Sequence, residues 1–98
     1  MDTYEYSKLL TLLSIKRNNI EKIINPDKLG QEIQDMRVKQ QIPNFWNDAV
    51  NAAKTTKQIT KNQHILTTYN NINNALLESQ EYFKMAKEQE DVDILEML

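Results

Sequence analysis

Ile42-Pro43-Asn44-Phe45-Trp46-Asn47-Asp48 holds the only tryptophan of the chain and one of its two prolines. Pro43 has no N–H and biases the residue before it toward extended backbone, so a helix arriving from the N-terminal side ends here. Asn47 or Asp48 can then accept the orphan N–H groups that open a following helix. Phe45 and Trp46, adjacent and large, read as a hydrophobic plug in a tight interhelical turn. Pro43, Phe45 and Trp46 are its structural residues, with Trp46 folded inward to set the helix crossing. An exposed anchor for a partner is the other role such a tryptophan takes.

On the N-terminal side of the plug the pattern is helical. Tyr6, Leu9, Leu10, Leu13, Ile20, Ile23 and Ile24 recur at helical spacing over about 3–24, and Lys16 interrupts the stripe with its stem along the seam. Lys16-Arg17 reads as a surface pair. Asn25-Pro26-Asp27 punctuates the chain, with Asn25 as N-cap and Pro26 at the first helical position. A second helix over 26–41 carries Leu29, Ile33 and Met36 on one face, and Gly30 inside it costs roughly 1 kcal/mol relative to Ala. The short joint makes helices one and two a kinked arm.

Beyond the plug no breaker appears until the acidic run around Glu88 to Asp91. The expectation is one helix over 48–88, roughly 60 Å long at 1.5 Å per residue. Its second half has a seam of Ile65, Tyr69, Ile72, Leu76, Ser79, Phe83 and Ala86, and its first half relies on Ala49, Ala52, Ala53, Ile59 and Leu66. Such an edge needs a partner, so the arm packs against it. Helix two then lies on the first half and helix one reaches the second, or helix one folds back on helix two. Asp91 can cap the start of a fourth helix over 91–98, with Val92, Ile94, Leu95 and Leu98. That helix has hardly two turns, so the chain reads as one domain, 1–98, at the front of a longer protein.

The fold class is therefore all-α: an antiparallel, coiled-coil-like bundle of a kinked arm on one long helix. Composition agrees, with 40% apolar and 27% charged residues, one Gly, and no Cys. Absence of Cys excludes disulfides, thiolate zinc sites and a thiol nucleophile. The net charge of −2 argues against binding of DNA or RNA by bulk charge alone. The first residues lack a basic leader with an apolar run, and nothing approaches a membrane span.

Catalysis finds little support. His64 is the only histidine, which excludes an imidazole-based metal cluster. The single glycine precludes a Gly-rich phosphate loop, and the carboxylates from Glu88 to Asp93 lack the loop spacing of a cation site. No cofactor is expected. Tyr4, Tyr6, Tyr69 and Phe83 read as seam residues. Lys54, Lys57, Lys61 and His64, spaced three, four and three, align on one face of the long helix. They could touch a phosphate backbone or an acidic partner, or simply keep the helix soluble.

The order of these features resembles the N-terminal domain of the bacterial peptide chain release factors. Pro43, Phe45, Trp46 and Asp48, then Ala52, Ala53 and Lys54, then the acidic stretch from Glu88 to Asp93 carry the resemblance. The aromatic pair favours the factor 2 branch. This resemblance implies a cytoplasmic protein acting on the ribosome at UGA and UAA codons. The family's Gly-Gly-Gln and Ser-Pro-Phe motifs are absent from these 98 residues, so no catalytic or codon-reading role is carried over and this segment is not expected to be an enzyme. The family's module helps to place the factor at the stalk base of the large subunit and communicates with the GTPase release factor. The competing reading is a free-standing helical adaptor or small chaperone that uses its apolar seam for a partner. An uncovered edge at Ile72, Leu76 and Phe83 would favour self-association of the chain.

Overall fold

The computed structural model describes residues 2–97, and among them there is no strand. Helix α1 spans Thr3–Ile24, α2 Pro26–Lys39 and α3 Ala49–Met97, with a single 3-10 turn at Phe45–Asn47 between α2 and α3. The all-α expectation holds. Each boundary has a local cause. Asp2 Oδ1 accepts from Glu5 N at 2.8 Å and caps α1. Asn25 sits at φ 49°, a left-handed conformation that Asn tolerates better than most residues. Its backbone still bridges the joint, because Asn25 N donates to Glu21 O and Leu29 N donates to Asn25 O. The arm is thus bent at one residue, and Pro26 opens α2 without wasting a donor.

Helix α2 stops two residues short of the expected end. Gln41 N and Ile42 N donate to Val38 O and Lys39 O, tightening the chain into turns before Pro43. Of the two candidate caps, Asp48 takes the role: its Oδ1 accepts from Asn51 N at 3.1 Å.

Helix α3 does not break where the acidic run suggested. It continues through Glu88–Asp93 to Met97, so the fourth helix is not a separate element and Asp91 caps nothing. No Gly or Pro lies between Ala49 and Met97, and Glu, Gln and Lys are good helix formers. Gln89 Nε2 donates to Asp93 Oδ1 at 3.0 Å, a one-turn tie across the supposed boundary. Leu98, expected in that helix, lies outside the described residues.

The chain divides into two compact units. One runs from Glu21 to Asn70 and pairs α2 with the front of α3. Leu29, Ile33 and Met36 turn inward as expected, against Ala52, Thr55, Ile59, Asn62, Leu66 and Tyr69. A Cβ on Gly30 would meet Leu66 Cδ2 at 3.9 Å, ordinary contact, so nothing there requires glycine. The other unit pairs α1 up to Ile20 with α3 from Asn71 onward. Leu10 and Leu76 are buried, and the Tyr6 and Phe83 rings stack with centroids 5.4 Å apart. Helix one therefore reaches the second half of the long helix.

In the α1 unit the inner stripe differs from the apolar one read from sequence. Tyr6, Leu10, Ser14 and Arg17 face α3, whereas Leu9, Leu13 and Ile20 stay exposed, and so does Tyr4. On α3 the inner positions are Asn73, Leu76, Ser79, Gln80 and Phe83, while Ile72 is 48% exposed and Ala86 is exposed. The reason is chemical pairing. Gln80 Nε2 donates to Ser14 Oγ at 2.8 Å, Ser14 Oγ donates to Leu10 O, and Arg17 Nη1 donates to Asn73 Oδ1 at 3.4 Å. Since α1 is apolar around much of its circumference, one partner helix can cover only part of it.

Candidate interaction surface

Lys54, Lys57, Lys61 and His64 are all exposed on α3, in the unit from Glu21 to Asn70. They stand on the side away from Ala52, Thr55, Ile59 and Asn62, and Val50 extends their four-three stripe toward the plug. Charge along α3 is segregated. Between Asp48 and Glu78 there is no carboxylate side chain, so the lysines act without a neutralising neighbour on their own helix. From Glu78 to Met97 the same helix carries seven carboxylates against two lysines.

The plug lies beside this stripe. Phe45 is half-buried, but Trp46 is 58% exposed, so the tryptophan does not fold inward as the sequence reading expected. Its Nε1 donates to Gln40 O at 3.1 Å, which ties the indole to the end of α2 and leaves the ring on the surface. A carbonyl left open by the end of a helix is an available acceptor there. The rings of Phe45 and Trp46 meet edge to face, with centroids 4.9 Å apart. Ala49, Ala53, Thr56 and Lys57 border Trp46 in a shallow depression. Pro43 is exposed in the turn before it.

Sequence reasoning missed two features. Arg17 is more than a surface residue, since it lies half-buried with Nη1 on Asn73 Oδ1. Its place in the series 6, 10, 14, 17 was a visible signal, hidden by the assumption that seam positions are apolar. The second is an open groove in the α1 unit, where Leu13, Ile20, Ile72, Ala75 and Leu76 line a trough flanked by Lys16 and Arg17. Among the described residues no three His, Cys, Asp or Glu side chains stand close enough to hold a metal ion. None of the helices described is long and apolar enough to cross a membrane.

No protein-family model matches the chain, and no solved structure does. Curated proteins do. The chain is 47% identical over 98 residues to peptide chain release factor 2 of Sulfurovum sp. and 40% identical over 98 residues to that of Helicobacter pylori. It is 39% identical over 95 residues to that of Sulfurimonas denitrificans. These alignments cover 97% or more of this chain but only 26% or 27% of the relatives. Along its whole length, then, the chain is a relative of the N-terminal part of peptide chain release factor 2.

Proposed function

We propose that this chain is the N-terminal helical module of a release factor acting in translation termination at UGA and UAA codons. The module places the factor on the ribosome, at the stalk base of the large subunit, and carries no step of peptidyl-tRNA hydrolysis. The observation that carries this reading is the 47% identity to a release factor 2 across all 98 residues. A second support is the carboxylate-free stretch of α3 with Lys54, Lys57, Lys61 and His64 exposed on one face, which suits a phosphate-rich surface. The same module contacts the GTPase release factor, and its setting is the cytoplasm.

The test is a chimera in which this chain replaces the matching segment of the Sulfurovum release factor 2. Stop-codon-dependent peptide release on purified ribosomes should persist, whereas deletion of the segment should weaken ribosome binding. A chimera no better than the deletion would overturn the reading. Charge reversal at Lys54, Lys57 and Lys61 in the chimera should weaken ribosome binding with a reduced salt dependence. Unchanged affinity would leave these lysines as a solvated face.

The groove at Leu13, Ile20 and Ile72 favours a second reading, a free-standing adaptor that takes a helix of a partner or of another copy into that trough. The coding sequence downstream of codon 98 separates the two readings. An open frame with Gly-Gly-Gln and Ser-Pro-Phe supports the release factor, and a stop codon supports the adaptor.

A further inference from the structure

We propose that Trp46 and the adjoining lysine face of α3 bind unpaired RNA, with one base stacked on the indole and neighbouring phosphates held by Lys54, Lys57 and Lys61. The inference deepens the ribosome-facing role above and rests on it. Trp46 stands in the turn that precedes α3. The residue is 58% exposed, yet its ring is already held by its N–H on Gln40 O and by the edge-to-face contact with Phe45. A side chain placed in advance loses little rotamer freedom on binding. Because its only donor is satisfied within the protein, what it offers a partner is a π-surface.

The surroundings suit a flat ligand. Ala49 and Ala53 are small and leave room beside the indole, and Lys57 borders both the depression and the lysine stripe. From Lys54 to Lys61 the stripe covers about 10 Å along the helix axis, the length of roughly three stacked nucleotides. No carboxylate on α3 between Asp48 and Glu78 opposes an anion there. An acidic peptide would satisfy the lysines but makes no particular use of a bare, held indole. A nucleotide strand supplies both partners at once, since every base has a π-face and every link a phosphate. Paired RNA keeps its base faces inside the helix, so the strand must be unpaired.

Trp46 is the only tryptophan, so its emission reports on this face alone. The experiment titrates the 98-residue chain with a mixed-sequence, unpaired 12-nucleotide RNA, with the corresponding 12-base-pair duplex, and with polyglutamate. Quenching of Trp46 by the unpaired strand, and markedly less by the duplex at equal phosphate, is the expected result. Trp46→Ala should weaken binding of a labelled strand at least about fivefold without changing the salt slope. The triple variant K54E/K57E/K61E should abolish binding. If quenching is absent, or Trp46→Ala binds like the unaltered chain while the lysine variant fails, stacking is wrong and the basic-face reading survives. If the lysine variant binds RNA and ribosomes normally, both fall. Polyglutamate that quenches as strongly as RNA would overturn the inference in favour of an acidic protein partner. Should Trp46→Ala lose its helical circular dichroism, quenching in the unaltered chain decides the matter.

Discussion

The two units use one plan, a pair of helices side by side, but they specify it differently. In the unit from Glu21 to Asn70 the interior is mainly apolar: Ile33, Ala52, Ile59 and Tyr69 are buried, and the buried Asn62 is paired within its own helix by Gln58 at 2.7 Å. Polar bonds between helices occur in both units. In the first, those of Arg37 with Gln63 and of Gln40 with Thr56 are exposed, whereas in the α1 unit those of Ser14 with Gln80 and of Arg17 with Asn73 are part-buried in the seam. Their surfaces diverge too. The first unit carries seven cationic and five acidic side chains, the second five and nine. An apolar interface holds wherever it buries enough area, whereas a polar one must match donor to acceptor and so selects a single facing. Where polar side chains choose the seam, apolar side chains of the same helix are left outside.

Substitutions can break this contrast. Ile33→Ala removes a buried side chain from the apolar unit and should lower stability by about 2–4 kcal/mol, read by urea denaturation followed by circular dichroism. A loss below about 1 kcal/mol would mean that α2 barely depends on its apolar face. Next in size is Ser14→Ala, which leaves Gln80 without its cross-helix partner and should cost about 1–2 kcal/mol. Adding Gln80→Leu to it should recover most of that loss, because both polar groups are then gone. If the double variant is worse than either single one, the Gln80 pairing is not what holds this facing. The smallest effect should be a gain: Gly30→Ala meets only Leu66 at contact distance and should stabilise the apolar unit by about 0.5–1 kcal/mol. Destabilisation would show that α2 sits closer to α3 than this spacing implies.

Much of the fold was legible because it rests on short-range interactions. Capping by Asp48, the bend at Asn25-Pro26 and the end of α2 before Pro43 all involve groups within a few residues of one another. The inner face of α2 was legible for another reason, since it has one apolar stripe and no rival. The lysine face followed from helical spacing alone. The acidic run misled because charge suggests solvation, while continuation of a helix depends on breakers and propensity, and none of the residues there breaks it. Trp46 misled because size suggests burial, and the turn offered its indole an acceptor at the surface instead.

The sequence by itself determined that this chain is helical, where its helices begin and bend, and how charge divides along α3. These are consequences of backbone geometry, capping and composition, which need no distant partner. Only the tertiary structure decided which stripe of α1 is buried, that Arg17 belongs to the seam, and that Trp46 faces outward. Each of these depends on the donor, acceptor or apolar surface that another segment brings alongside, and periodicity within one helix does not contain that information.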